Sequence, residues 1–359
     1  MNKQKCIEQK NNMIKILILL VFFILTGCSN ITRNSSQTHD INGSTESSYK
    51  NKQMSIQTKS KGEEKSDLNG IAYNDNDLYV VVGSKGRVLT STDGVSWIIR
   101  QSGTDKNLRS VIWGKKQFVS VGDEGIILIS MDGVNWETVN SNTNTCLYKV
   151  KCDGKFYYSI IGNGTILTSE DGNLWTKKEI PISKLNNATD DKLIYHIADI
   201  LWDGKQYIAV GDGNFILTSE MLDKWVVRVP NSRGTGMYCN VEWNGKRYVA
   251  VGDHLAMSTS LNGHKWTVEG LRINDIESVN DYYTLCLNSV IWGRDKFIVV
   301  GQKGLILESK DGLEWSVLSN YTIAGLNQVI WDGKQFISVG DNDTIVNSTD
   351  GVKWVATKS

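Results

Sequence analysis

Proline is nearly missing from this chain, with two among 359 residues, and charge of either sign is in no excess, with 39 basic against 39 acidic side chains. The charge balance argues against nucleic acid or another strongly anionic surface as a partner. Histidine is scarce as well. His39, His196, His254 and His264 show no metal-ligand spacing, so no metal is expected. No glycine-rich phosphate loop lies between a strand and a helix, and no nucleophile elbow is present, so no cofactor is expected either. What the chain has in quantity is glycine (33), tryptophan (12) and tyrosine (13). That combination describes many short strands joined by glycine turns, not a disordered polymer.

One turn recurs. TSTDGVSW ends at Trp97, ISMDGVNW at Trp136, TSEDGNLW at Trp175 and TSEMLDKW at Trp225. TSLNGHKW ends at Trp266, ESKDGLEW at Trp315 and NSTDGVKW at Trp354. The intervals are 39, 39, 50, 41, 49 and 39 residues. A period near 40 with several strands per unit predicts propeller blades. Within each unit a short alternating strand (RSVIW, Arg109–Trp113) is followed by an Asp-Gly or Asn-Gly turn suited to a two-residue hairpin. A second strand (QFVSVG, Gln117–Gly122), a third (Ile126–Ser130), the recurrent turn and a fourth strand starting at the Trp complete the unit. The expected fold is all-β: a seven-bladed β-propeller of four-stranded antiparallel blades over residues 68–359. Each Trp should wedge between adjacent blades, at about 3–5 kcal/mol if truncated to Ala. Every blade reads as complete, so ring closure is expected to rest on face packing of blades one and seven. Met221-Leu222-Asp223 in the fourth unit and Asn262 in the fifth depart from the motif and put the geometry of those two turns in question.

The motif S-x-D-G-x-x-W resembles the Asp-box, S-x-D-x-G-x-x-W, of bacterial-neuraminidase-repeat (BNR) propellers, with one residue fewer between Asp and Gly. That shortened form is similar to the repeats of Ycf48/HCF136-like photosystem assembly factors. The resemblance covers about 290 residues. It implies the propeller fold and, by analogy with assembly factors, a partner-binding role.

The N-terminus is read as a targeting segment. Lys15 precedes the apolar run Ile16–Leu25, too short to span a bilayer comfortably, and the run ends in LTGC at Cys28. This resembles a bacterial lipoprotein signal, which implies removal of residues 1–27, lipidation of Cys28 and anchoring on the extracytoplasmic face of the cell membrane. Met13-Ile14-Lys15 makes a more typical signal start than Met1. Without residues 1–27 the chain keeps 35 basic and 38 acidic side chains, so the lipid and not charge would hold the membrane. Residues 28–67 hold scarcely an apolar residue and are expected to form a disordered tether. Cys146 and Cys152 are expected on one strand, and Cys146 and Cys286 in distant blades. Four free and mostly buried thiols follow, counting Cys239.

The recurrent residues are read as structural, so function is sought where the repeat breaks. The two long intervals place extra residues in the connections after Trp175 and Trp266, on the face that also carries the turns between second and third strands. Tyr195, His196, Arg233, Tyr238, Asp281, Tyr282 and Tyr283 are expected to cluster there, Tyr and Arg being favoured binding anchors. Asp123, Asp212, Asp253 and Asp341 are expected as a carboxylate ring on the same face, for a cation or a basic peptide. A sialidase would need three arginines around the substrate carboxylate and an F/Y-R-I-P motif, which is absent. A carboxylate pair of the glycosidase type stays open. The expected function is non-catalytic binding of a protein or peptide partner. The alternative is a cell-surface glycan-binding protein or glycosidase.

Overall fold

The computed structural model describes residues 65–357, apart from 75, 163, 181–195, 229–235, 270–284, 319–321 and 323. The targeting segment, Cys28 and most of the tether lie outside the described residues. Seven separate sheets follow one another along the chain, each of four antiparallel strands in chain order. The first sheet holds Leu68–Tyr73, Tyr79–Gly83, Val88–Ser91 and Ile98–Arg100; the last ends at Val355–Thr357. First strands of successive sheets touch, and that of the seventh touches that of the first, so the blades close into a ring around a central channel.

The first-strand sequences explain this arrangement. Their first position (Leu68, Leu108, Leu147, Ile197, Tyr238, Leu287, Leu326) and fourth position (Ile71, Val111, Val150, Ile200, Val241, Val290, Val329) are buried between blades. In six of the seven blades the ladder slips by one residue just after the first position. Such a bulge re-aims side chains, and in five of these six blades the third-position side chain bonds the next blade. The Gln328 Oε1 accepts from Ile71 N at 3.0 Å, Asn240 Oδ1 from Val290 N at 2.8 Å, and Ser110 Oγ from Val150 N at 3.3 Å.

Ring closure therefore uses more than the face packing expected from sequence. Beside the shared core of Leu68, Ile71, Val81, Ile337 and Val339, Asn327 Nδ2 donates to Leu68 O at 3.0 Å and Asp343 N to Ser66 O at 2.7 Å. The seventh joint is built like the others.

The recurrent turn is held by its own serine and aspartate. In six blades the Ser Oγ accepts the amide of a glycine (or its Asn-Gly equivalent) at 2.8–2.9 Å, for example Gly94 N to Ser91 Oγ at 2.9 Å and Gly312 N to Ser309 Oγ at 2.8 Å. The Asp Oδ1 accepts the next two amides, as at Asp350 from Val352 and Lys353, both at 2.8 Å. These bonds, Lys353's first, draw the Asp350 carboxyl down to about 2. Asn262 does the same work in blade five, accepting from His264 N at 2.8 Å and Lys265 N at 3.0 Å. In blade four Leu222 takes the glycine's left-handed conformation (φ 58°) and buries its side chain beside Tyr158 and Trp225. Elsewhere a Cβ at this glycine would meet the preceding blade's hairpin: Gly172 faces Gln117 and Gly94 faces Gln335. Blade three carries Phe156 at that hairpin position, and Phe156 and Leu222 line one hollow of about 230 Å³. An amide-on-glycine joint has become an apolar one. Both departures from the motif thus keep the turn.

The motif tryptophans wedge as expected. Trp175, Trp225, Trp266 and Trp354 are buried, and Trp97, Trp136 and Trp315 partly so. Trp354 packs on Phe336 of its own blade (ring centroids 6.2 Å apart) and on Ile298 and Val300 of the preceding one.

Candidate functional site

The channel has a volume of about 310 Å³ and is lined by the first strands. Around blades six, seven and one its wall is neutral: Asn288 and Ile291, then Asn327 and Ile330, then Asn69 and Tyr73. Around blades three to five the equivalent strands contribute Lys149, Lys151, Asn240 and Glu242 to the lining. Asp199, on the first strand of blade four (Ile197–Trp202), is fully buried beneath them. Its Oδ1 lies 3.4 Å from Lys149 Nζ and 3.2 Å from Lys151 Nζ. Its Oδ2 accepts from Val241 N at 3.2 Å and from Asn240 Nδ2.

Burial alone would raise the Asp199 carboxyl; Lys149, then Lys151, reverse that and hold it below its ordinary value. Burial lowers Lys149, with Asp199 opposing. Glu242 is raised to about 7, by burial first, with Lys151 opposing and Asp199 adding to it. Two ammonium groups and one carboxyl near its titration midpoint thus face one sector of the channel, with a fixed carboxylate buried beneath the ammonium groups. The arrangement suits a ligand with charged or hydrogen-bonding groups.

The channel mouth on the loop face carries the aspartates read from sequence. Each follows a second strand and donates its amide back to the chain entering its blade: Asp123 N to Asn107 O at 2.9 Å, Asp212 N to His196 O at 3.0 Å, Asp253 N to Met237 O and Asp341 N to Gly325 O, both at 2.9 Å. They are brought to one face but not left as a free ring. Asp123 is buried, ion-paired with Arg109 and bonded by Asn107 Nδ2 at 2.9 Å. Asp341 accepts from Asn327 Nδ2 at 3.0 Å, and Asp212 from the backbone amide of partly exposed His196 at 3.0 Å. Burial raises the Asp212 carboxyl. Asp253 faces two cysteines.

Of the expected binding cluster, Tyr195, Arg233, Asp281, Tyr282 and Tyr283 lie outside the described residues. Tyr238 does not reach the face. It is 1 % exposed, its hydroxyl 2.5 Å from Ser258 Oγ. It occupies the first position of its strand, where the other blades place Leu or Ile, and the internal alignment carried that signal. The thiols differ in part from expectation: Cys146, Cys152, Cys239 and Cys286 are in no disulfide, but each is partly exposed, and Cys146 precedes the strand Lys149–Cys152. Lys149, Lys151, Asp199 and Glu242 were missed by a search directed at loops, although all four break the apolar or amide pattern of the first strands.

The geometry defines a seven-bladed propeller with an asymmetric polar channel. No family model and no curated protein matches the chain. Solved structures do. "YCF48 bound to D1 peptide" superposes with a TM-score of 0.62 at 16% identity, over 80% of this chain and 94% of that one. YCF48 from Cyanidioschyzon merolae gives 0.63 at 17% identity, over 79% and 96%. A catalytically inactive virginiamycin B lyase from Staphylococcus aureus with quinupristin gives 0.65 at 9% identity, over 80% and 96%. At these identities the likeness is one of fold.

Proposed function

We propose that this chain is a non-catalytic binding propeller that takes a protein or peptide segment from the loop face into the channel sector of blades three to five. The observation that carries the reading is the concentration of Lys149, Lys151, Asp199 and Glu242 in that sector. Blades six, seven and one close the same ring with Asn, Ser and Gln, so the charges are not required by the fold. A propeller of like fold and comparable length holds a peptide, which supports a peptide-class ligand by analogy. The LTGC signal and the polar stretch after Cys28 support display on the outer face of a bacterial membrane through a lipidated cysteine.

The test is retention from cell-surface extract on immobilised protein, beside the double variant Lys151→Gln, Glu242→Gln. Neither change uncovers Asp199 wholly, because Lys149 remains. A defined protein retained by the parent and lost by the variant supports the reading. Retention of polysaccharide alone, or equal retention by both, contradicts it.

A further inference from the structure

At the joint between blades five and six the fold gathers three groups that are far apart in sequence. Cys239 is the second residue of the first strand of blade five (Tyr238–Trp243), Asp253 follows that blade's second strand (Tyr248–Gly252), and Cys286 immediately precedes the first strand of blade six (Leu287–Gly293). The two sulfurs stand 3.4 Å apart. Asp253 Oδ1 lies 3.0 Å from Cys286 Sγ and 3.8 Å from Cys239 Sγ. All three residues are partly exposed.

The neighbouring joints show what is unusual here. At the second strand position Asn69, Asn288 and Asn327 each reach the next blade's carbonyl, at 2.9, 2.8 and 3.0 Å. Blade five has Cys239 at that position. Equivalent aspartates face nitrogen donors: Asp123 has Arg109 and Asn107, and Asp341 has Asn327. Among the described residues, the donors to the Asp253 carboxylate are the two thiols alone. One carboxylate oxygen and two sulfurs, the donor set of a thiophilic metal, thus share one small volume.

We propose that Cys239, Cys286 and Asp253 form a binding site for a thiophilic divalent cation of the zinc class, these three being the ligands among the described residues. On one tetrahedral zinc, two thiolate sulfurs stand about 3.8 Å apart and a sulfur and a carboxylate oxygen about 3.5 Å. The S–S distance here, 3.4 Å, is shorter than that value, and the two S–O distances, 3.0 and 3.8 Å, lie on either side of theirs. Sulfur ligands select zinc-like ions over calcium or magnesium. Binding replaces two S–H bonds with two metal–sulfur bonds, and both protons leave to solvent without oxidation. The ion would also join blades five and six, where Cys239 stands in place of the asparagine that reaches the next blade from blades one, six and seven. A disulfide would use the sulfurs but require them to close to about 2.05 Å and would give the Asp253 carboxylate no donor.

The experiment titrates Zn²⁺, and Co²⁺ as a spectroscopic probe, into the full chain held reduced by a phosphine. The expected result is one equivalent bound, with the sulfur-to-cobalt charge-transfer band of a thiolate site. Cys239→Ser and Cys286→Ser remove the band, and Asp253→Asn weakens binding by about tenfold or more. The quadruple variant Cys6→Ser, Cys28→Ser, Cys146→Ser, Cys152→Ser retains it. Should the joint variants not fold, alkylation of the unaltered reduced chain decides. Zn²⁺ should shield Cys239 and Cys286 while leaving Cys146 and Cys152 as reactive as before. Absence of stoichiometric binding, a band that survives loss of both joint cysteines, or unshielded Cys239 and Cys286 in saturating Zn²⁺ overturns the proposal. So does closure of the pair to a disulfide that Zn²⁺ does not prevent.

Discussion

Blades six, seven and one and blades three, four and five solve the same mechanical problem with different side chains. In the first group the third strand position is Ser289, Gln328 or Gly70, and the fifth is Ile291, Ile330 or Ala72. In the second the third position is Lys149, Asp199 or Asn240, and the fifth Lys151, Leu201 or Glu242. Both groups bond across their joints: Ser289 Oγ accepts Val329 N at 3.4 Å, and Asp199 Oδ2 accepts Val241 N at 3.2 Å. Short neutral acceptors therefore suffice to close a blade joint. The charged sector carries desolvation costs that joint closure does not demand, which is the physical reason to look for function there.

The largest effects should ignore this division. Trp266→Ala in the charged sector and Trp354→Ala in the neutral one remove equally buried wedges, and each should cost about 3–5 kcal/mol in urea unfolding. A cost confined to one of them would mean that the sectors are packed differently. A smaller effect should separate the sectors. Asp199→Ala leaves two lysines facing each other without their carboxylate and should cost about 3 kcal/mol. Ser289→Ala, at the same strand position, loses one long hydrogen bond and should cost below about 1 kcal/mol. Equal losses would show that Asp199 serves the joint and nothing more.

The smallest effect is in pH dependence. The folded protein holds the Glu242 proton to about pH 7, whereas an ordinary glutamate releases it near 4.5. Between those values the folded state binds more protons than the unfolded state, so stability falls as pH rises across the window. Glu242→Gln should flatten that slope between about pH 4.5 and 7. Ile291→Val, at the equivalent position of blade six, should leave it unchanged. An unaltered slope in Glu242→Gln would place the titration elsewhere.

Much of this was legible in the sequence. Ser91, Asp93 and Gly94 repeat because one turn needs a hydroxyl acceptor, a carboxylate acceptor and a left-handed residue in that order, and repetition converts the turn into a blade count. Leu222 read as a defect because its compensation, Phe156, belongs to the preceding blade and lies 66 residues earlier. The pairing of Cys239 with Cys286 was hidden for a related reason. Residues at unlike repeat positions, one before a strand and one within it, meet only when blades sit side by side. Aligning like positions, which rightly separated Cys146 from Cys286, does not reveal a contact between unlike ones. Tyr238 was a failure of another kind, since its column in the alignment was already apolar.

The proposed function has ligand enter from the loop face at blades three to five. Lysine footprinting with and without the retained partner, read by mass spectrometry, tests it most directly. Lys149 and Lys151 should lose reactivity on binding, while Lys205, Lys246 and Lys334 in the hairpins of the opposite face keep theirs. Shielding of the hairpin lysines with Lys149 and Lys151 unchanged would contradict it.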